Sequence, residues 1–288
     1  MFAKISPLLT SLSSHTPPGL VLSLSSAFIV DKKYLSCYRN EFVGTLLMIA
    51  CTFSAGKWIG EDNLPLAWTA HAVGVVAADY FGGGQHVNPA VSVAMWSLGK
   101  CDYTEMYIRI AGAMGGGLVA FPLFRSLSDY MEWNALGGPE FNPLDDDDGS
   151  SSAFSEFLAT FLLCVAIYVL NWELNFGKFH YWIKQTLTAL FIRYLIEMFP
   201  TAGPAINPML GTTWAVFASA FSDDEKVNTG IFPEDPLHYF VYWVAPILGA
   251  LLASFCYVVY AGGTFLGSKI PLGQIKPVAV VTESKKKK

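Results

Sequence analysis

Charge is scarce in this chain of 288 residues, where 14% of residues are charged and 53% are hydrophobic. A soluble domain of this size carries roughly a quarter charged residues. The few charges fall in short blocks between long apolar runs, which is typical of a chain that crosses a membrane several times. The net charge is −5, so no basic surface for nucleic acid is expected. A soluble enzyme, a disordered chain and a nucleic-acid-binding protein are therefore disfavoured.

Cysteine pairs and catalytic residue sets are also missing from the sequence. The five cysteines are scattered, mostly inside apolar runs, and no two have the spacing of metal ligands. Their odd number argues against complete disulfide pairing, so we interpret them as small buried hydrophobic residues. We find no nucleophile–base–orienter set and no phosphate-binding loop. The sequence thus predicts no enzyme activity, no metal and no cofactor.

Six apolar stretches approach the roughly 20 residues that a bilayer-spanning helix needs. They lie at about 38–57, 65–82, 104–125, 153–171, 181–199 and 237–261. A shorter apolar run at 19–30 is interpreted as a membrane-surface segment. Lysine and arginine concentrate before the first span, after the last span and in the loop after the fourth. Because basic residues favour the cytoplasmic side, both termini are predicted to be cytoplasmic.

The spans form an internal repeat. The first opens with Glu41 and the fourth with Glu156, and in both a phenylalanine follows directly and a threonine comes four residues later. Each half holds three spans, and this odd number inserts the second half upside down relative to the first. Inverted repeats of this kind place the permeation site of transport proteins at the repeat interface, near the bilayer midplane.

Each half also carries an Asn-Pro motif between its second and third spans. Proline is favoured in the first turn of a helix and asparagine caps helix starts well, so each motif is predicted to begin a helix. The apolar stretches that follow, 91–98 and 211–221, are too short to cross a bilayer. We therefore predict two half-helices that enter from opposite faces. The predicted pore centre comprises Asn88, Pro89, Ala90, Asn207, Pro208 and Met209.

The meeting of two half-helix N-termini has an electrostatic consequence. Each N-terminus carries partial positive charge, which would repel a cation at the midplane. If the side chains of Asn88 and Asn207 also bond to their own loops, their amide N–H groups are held toward the lumen. The preceding loops, 82–87 and 201–206, would be irregular backbone that lines a wet cavity. This arrangement favours neutral, hydrogen-bonding solutes over ions.

At these residues the chain resembles the major intrinsic protein, or aquaporin, family over about residues 38–262. The resemblance rests on the paired Asn-Pro motifs, on Glu41 and Glu156, on His86 and on the Trp-Val-Ala-Pro sequence at 243–246. It implies an all-α membrane protein with six transmembrane helices plus two re-entrant half-helices in an inverted repeat. Members usually form homotetramers in the lipid bilayer, with one pore in each subunit.

The resemblance implies three segments: a cytoplasmic N-terminal segment 1–37, a channel domain 38–262 and a cytoplasmic basic tail 263–288. The halves of the channel domain would be 38–126 and 153–262, joined by the acidic loop 127–152. We expect three residues to support the re-entrant loops, and for the glutamates we favour accepting hydrogen bonds over proton transfer. These residues are Glu41, Glu156 and His86.

The second motif departs from the family pattern. The arginine that usually follows it is replaced by Leu210, and Gly211 stands where glycerol-conducting members usually carry an aspartate. Ungapped counting from the motifs places Trp68, Leu195 and Pro204 at the other positions of the outer selectivity filter. Such a filter would be apolar, with weaker rejection of cations and fewer hydrogen bonds to permeants. The departure resembles the unorthodox intracellular members of the family, including the small intrinsic proteins of plants.

Several intramembrane polar residues allow more than one interpretation. His71 and Asp79 are eight residues apart in the second span, and we favour a satisfied buried pair, or pore lining for Asp79, over a proton relay. Arg109 and Arg193 are expected to be paired or to extend toward the interface. Glycines in the third span, among them Gly112, are expected to allow close helix crossing.

The sequence predicts a passive channel for water or another small neutral solute. A pore for glycerol or hydrogen peroxide, a broken-helix secondary transporter and a non-conducting membrane organiser remain open alternatives. The transporter would need a carboxylate near the half-helices, for which Asp79 is the candidate. Lys285 and Lys286 resemble a dilysine retrieval signal of the endoplasmic reticulum, although a polybasic tail drawn to anionic lipid explains them equally well.

Overall fold

The computed structural model describes residues 31–52, 64–132, 149–199, 201, 205–220, 232–271 and 275. Within it, the chain divides into two compact units, Met1–Ser36 and Cys37–Lys288, and the second contains a cavity lined by several of the helices. The helices are α1 (Lys32–Thr52), α2 (Leu64–Gly82), α3 (Pro89–Ser97), α4 (Tyr103–Tyr130), α5 (Ser150–Glu173), α6 (His180–Met198), α7 (Pro208–Ala220) and α8 (Pro236–Ala261). A hairpin of β1 (Thr264–Phe265) and β2 (Ser268–Lys269) follows.

The described helices confirm the predicted fold class. Six long helices and two short ones occur in this part of the chain, and the short ones, α3 and α7, occupy equivalent places in the two halves. The two short helices begin at the prolines of the motifs, as the Asn-Pro pattern predicts, and end at Ser97 and Ala220. The predicted surface segment 19–30 lies outside the described residues.

Hydropathy alone identifies fewer spans than the fold contains. Among the described helices, α4, α5 and α8 are long and apolar enough to cross a membrane by length and composition. The other long helices carry polar side chains that lower their hydropathy, such as His71 and Asp79 in α2 and Arg193 in α6. Because both of these helices line the cavity, the polar residues belong to the site itself.

The third predicted span, 104–125, is part of a longer helix. Asp102 caps α4 by accepting a hydrogen bond from the backbone N–H of Glu105 at 2.7 Å. The helix continues to Tyr130, where Arg125 and Asp129 form an ion pair one turn apart. The predicted acidic loop 127–152 is therefore helical at both of its ends, and residues 133–148 lie outside the described part.

Close helix crossings repeat in the two halves. A Cβ atom at Gly116 of α4 would lie 2.7 Å from the carbonyl oxygen of Phe42 in α1. A Cβ atom at Gly249 of α8 would likewise clash with the carbonyl oxygen of Phe157 in α5. Phe42 and Phe157 directly follow the repeated glutamates, so these crossings fix α1 and α5 at equivalent points.

Helices α2 and α6 run antiparallel along the cavity. At one end the indole Nε1 of Trp68 donates to Oε1 of Glu197 at 2.8 Å. At the other end the hydroxyl of Tyr181 donates to Oδ2 of Asp79 at 2.6 Å. These two bonds define what we call the Trp68 end and the Asp79 end of the cavity.

Candidate functional site

Each half-helix begins at its Asn-Pro motif. The Oδ1 atom of Asn88 accepts a hydrogen bond from the backbone N–H of Ala90 at 2.9 Å, and Oδ1 of Asn207 accepts one from Met209 at 3.1 Å. These bonds satisfy N–H groups that helix starts otherwise leave unpaired. Because the carbonyl oxygen of each side chain is used for the cap, its amide nitrogen points away from its own helix.

The two asparagines are joined reciprocally across the repeat interface. Nδ2 of Asn88 donates to the carbonyl oxygen of Ile206 at 2.8 Å, and Nδ2 of Asn207 donates to that of Val87 at 2.9 Å. Both side chains are 5% exposed and line the cavity. Each amide carries two N–H groups. The second of each has no partner within the described chain and is available to a solute.

The residues that present these carbonyls have unusual backbone conformations. Val87 has φ 47° and Ile206 has φ 52°, in the left-handed region that β-branched residues rarely adopt. Such conformations persist only where the surroundings hold them in place. Each of these residues directly precedes a motif asparagine, so both loops have a strained backbone at the point where they meet.

Two buried carboxylates hold the strained loops. Glu41 accepts hydrogen bonds from the backbone N–H groups of His86 at 2.8 Å and Val87 at 2.7 Å. In the other half, Glu156 accepts bonds from Ala205 at 2.6 Å and Ile206 at 2.8 Å. Both glutamates are almost completely buried. The loop geometry therefore depends on the repeated glutamates in the same way in both halves.

The environments of the two glutamates differ in charge. Arg109 of α4 donates to Oε1 of Glu41 at 2.6 Å and also pairs with Glu105 at 2.9 Å. Glu156 makes no ion pair within the described residues. The predicted pairing of Arg109 is thus observed, and it belongs to the first half of the repeat.

His86 lies at the cavity surface beside the first motif. Its Nδ1 atom is 3.0 Å from the hydroxyl of Ser92 in α3, while its backbone N–H is held by Glu41. The neighbouring side chain of Gln85 donates to the carbonyl oxygen of Ala78 at 2.6 Å. These contacts attach the first loop to α2 and α3.

A cavity of about 640 Å³ passes through the site. Its Asp79 end is polar: besides the Tyr181–Asp79 bond, Nζ of Lys184 donates to Oδ1 of Asn171 at 2.5 Å. His71 and Asp79 both line the cavity but are not paired with each other, because eight helical residues separate them by about 12 Å. The carboxylate of Asp79 is instead bonded to α6.

The Trp68 end of the cavity combines apolar and polar side chains. Ile192 and Ile196 of α6 and Leu210 of α7 supply the apolar part of its lining. His71 of α2 and Arg193 of α6 supply the polar part. This end is therefore less apolar than a ring of Trp, Leu, Pro and Leu would be.

The structure changes the predicted filter on α6. Leu195 is fully buried against Ala159, Leu163 and Ile206 and does not line the cavity. Successive residues of a helix point about 100° apart around its axis. Ile196, the residue after Leu195, therefore faces a different side and lines the cavity. The ungapped count is thus wrong for Leu195.

The other predicted filter residues have three different locations. Leu210 lines the cavity. Trp68 does not, but it lies at the cavity end through its bond to Glu197. Pro204 lies outside the described residues. Sequence reasoning missed His71 and Arg193 as filter candidates, although both line the cavity.

Within the motifs, only the asparagines reach the cavity. Pro89, Ala90, Pro208 and Met209 are buried behind them and do not line it. Met209 is 0% exposed in a cluster with residues of α1, α2 and α4. A Cβ atom at Gly117 of α4 would lie 2.6 Å from its sulfur. The larger residue of the second motif is thus accommodated by a glycine opposite.

This pairing predicts coupled effects on stability. Gly117→Ala is expected to cost about 1–3 kcal/mol through overpacking against Met209. In the Met209→Ala background the same change should cost less by about 1 kcal/mol or more, since the contact with the sulfur is removed and the contacts with the Thr213 side chain at 2.7 and 2.9 Å remain. Denaturation of the purified protein measures each free energy of unfolding.

Gly115→Ala is the matched control for this cycle. It adds the same group to the same helix, but its Cβ atom meets the hydroxyl of Tyr38 at 2.8 Å and does not meet Met209. Its effect should add to that of Met209→Ala within about 0.5 kcal/mol. Additivity of the Gly117 and Met209 changes would contradict the proposed fit.

The chain is similar to known proteins over most of its length. A family model described as "Major intrinsic protein" matches residues 29–257. A glycerol uptake facilitator protein-like 6 from Lactiplantibacillus plantarum is 29% identical over 226 residues, covering 76% of this chain and 95% of the relative. Aquaglyceroporin-4 from Botryotinia fuckeliana is 26% identical over 249 residues, covering 77% of this chain. The matched region spans only 32% of that fungal relative.

A solved structure has a similar fold. The X-ray structure of the aquaglyceroporin from Plasmodium falciparum superposes with a TM-score of 0.58 at 22% identity. The match covers 78% of this chain and 95% of that one. At this level of identity the likeness concerns the fold.

Proposed function

The chain belongs to the major intrinsic protein family, and on this basis we propose that it is a passive channel for water and small uncharged solutes rather than an enzyme. One observation carries the proposal. Asn88 and Asn207 each use one amide N–H to join the two loops, and each has a second one available beside the cavity. A solute there meets two fixed hydrogen-bond donors from opposite halves of the chain.

The half-helices add electrostatic discrimination to these donors. The N-termini of α3 and α7 carry Asn88 and Asn207 and therefore meet at the same point. Helix N-termini carry about half a positive charge each. This field opposes the entry of a cation and does not oppose a neutral molecule that accepts hydrogen bonds.

The orientation and assembly are part of the proposal. Basic residues cluster at the start of α1 and after α8, which favours cytoplasmic termini and places the Trp68 end on the outer side. By the family resemblance we propose a homotetramer with one pore in each subunit. An endoplasmic reticulum location is proposed from Lys285 and Lys286, which lie outside the described residues.

Glycerol is a second candidate permeant. The outer end places Ile192, Ile196 and Leu210 together with His71 and Arg193, so one cavity offers contacts for both CH and OH groups. Relatives named for glycerol uptake are consistent with this choice. The aspartate of glycerol-conducting members has no space here, because a Cβ atom at Gly211 already meets the Tyr242 ring at 2.8 Å.

Flux measurements in proteoliposomes test the passive mechanism. We expect water and glycerol to cross down their own gradients at rates that an imposed proton or sodium gradient does not change. The carboxylate of Asp79 is engaged by Tyr181 rather than held ready for a coupling ion. Uptake that requires either ion gradient would instead identify a secondary transporter.

A further inference from the structure

The outer end of the cavity contains a cationic side chain away from the re-entrant loops. Leu210 of α7 supplies no charge there, whereas Arg193 of α6 lines the same end. The other lysine or arginine of the described cavity lining, Lys184, lies toward the Asp79 end and is bonded to Asn171. A positive charge thus faces the outer path from a different helix.

Contacts between two helices orient this arginine. Nε of Arg193 donates to Oε1 of Glu197 at 3.1 Å, and Nη2 also lies 3.1 Å from that oxygen. The indole N–H of Trp68 donates to the same oxygen at 2.8 Å. An exposed ion pair alone orients side chains weakly. Here the indole of Trp68 also holds the carboxylate of Glu197. The guanidinium of Arg193 is therefore held in one orientation, and its remaining N–H groups can bond to a solute.

His71 provides a second, independent sign of a ligand. Its side chain is 7% exposed and lines the cavity, yet Nε2 has no hydrogen-bond partner in the described residues. Buried polar atoms in native proteins are normally paired, by protein or by solvent. His71 lies one helical turn from Trp68 and Arg193 one turn from Glu197, and the Trp68–Glu197 hydrogen bond joins α2 to α6 at this end. Nε2 has almost no exposed surface, so a turn of the imidazole about its Cβ–Cγ bond is needed to bring it to a solute beside Arg193.

We propose that Arg193 and His71 form the outer selectivity site, with Glu197 and Trp68 as positioning residues. Arg193 repels cations and donates hydrogen bonds to a passing solute, which are the two properties that Leu210 lacks. His71 bonds to the same solute from α2. The ligand class is an uncharged molecule with hydroxyl or water oxygens. This proposal rests on the channel function proposed above.

Sodium flux in proteoliposomes tests the role of the charge. Arg193→Leu is expected to raise radiolabelled sodium uptake about tenfold, because a fixed cation in a narrow pore is a barrier to other cations. Its water permeability is recorded in the same vesicles to show that the pore has formed, and it should change as well because the outer site loses a hydrogen-bond donor. The matched control is Arg125→Leu, which removes an arginine with the same one-turn ion pair away from the cavity. It should change neither flux.

Further variants distinguish charge from folding. Leu210→Arg added to Arg193→Leu should restore sodium exclusion, and Arg193→Lys should retain it. If Arg193→Leu does not yield folded protein, Arg193→Gln replaces it and should also raise sodium uptake, because it removes the charge while keeping a polar side chain of similar length. His71→Leu should lower glycerol flux about threefold more than water flux, as expected for one lost hydrogen bond. Equal losses would overturn the assignment of His71.

The outcomes separate this proposal from the channel function. A folded Arg193→Leu protein that conducts water and excludes sodium as well as wild type would overturn the role of Arg193 and leave the channel intact. Wild-type protein that conducts no more water or glycerol than protein-free liposomes would overturn both. Raised sodium uptake in Arg193→Leu with rescue by Leu210→Arg supports the proposal.

Discussion

Glu156→Ala is expected to lower the free energy of unfolding by about 2–6 kcal/mol. The change removes the acceptor of two buried backbone N–H groups, of Ala205 and Ile206, and each unsatisfied donor costs roughly 1–3 kcal/mol. It also releases Ile206 from its left-handed conformation at φ 52°. Water permeability should fall with stability, because this loop positions Asn207. Denaturation in detergent and liposome assays measure the two effects.

Two further variants provide an intermediate case and a control for this prediction. Glu156→Gln keeps one acceptor oxygen and should have an intermediate effect, since one of the two N–H groups remains paired. Glu234→Ala removes an exposed glutamate and should leave stability within about 0.5 kcal/mol of wild type. A Glu156→Ala protein that unfolds and conducts like wild type would refute the anchoring role.

Asn207→Asp is expected to convert a cation-excluding centre into a permissive one. The carboxylate cannot donate to the carbonyl oxygen of Val87, so two oxygens would face each other across a 2.9 Å contact. Its negative charge would also offset the partial positive charge of the half-helix N-termini. Sodium uptake should rise about tenfold, and water permeability should fall as the loops separate.

The matched control for this change is Asn175→Asp. Asn175 is an exposed loop residue whose Oδ1 accepts a hydrogen bond from Gly177 at 2.9 Å, and an aspartate retains that acceptor. Both fluxes should equal those of wild type. Unchanged sodium exclusion in folded Asn207→Asp would show that the central donors do not control ion entry.

The sequence was most informative where local chemistry determines structure. Asparagine followed by proline favours a helix start whatever the surrounding fold, so the motifs at Asn88 and Asn207 indicated both half-helices. The repeated Glu41 and Glu156 indicated buried acceptors, because an unpaired carboxylate inside a bilayer is expensive. The reciprocal bonds between the loops were not predictable, since they depend on how the two halves meet.

The outer end was less predictable because it depends on helix rotation and tertiary contacts. Counting from the motif placed Leu195 at the filter, but the length of the loop before Asn207 is not fixed by the sequence. An error of one residue in this count replaces a residue on the cavity side of α6 with one on its buried side. Arg193 was expected to be paired, and it is paired with Glu197. That the same side chain also lines the cavity follows only from the packing of α2 on α6.

The osmotic water permeability of proteoliposomes that contain the wild-type protein tests the channel function most directly. Stopped-flow light scattering records how fast the vesicles shrink after an osmotic step. We predict clearly faster shrinkage than in protein-free liposomes prepared in the same way. Sodium uptake should be no higher than in those liposomes. Shrinkage no faster than in the protein-free liposomes, for wild type and for Leu210→Arg alike, would contradict the channel function.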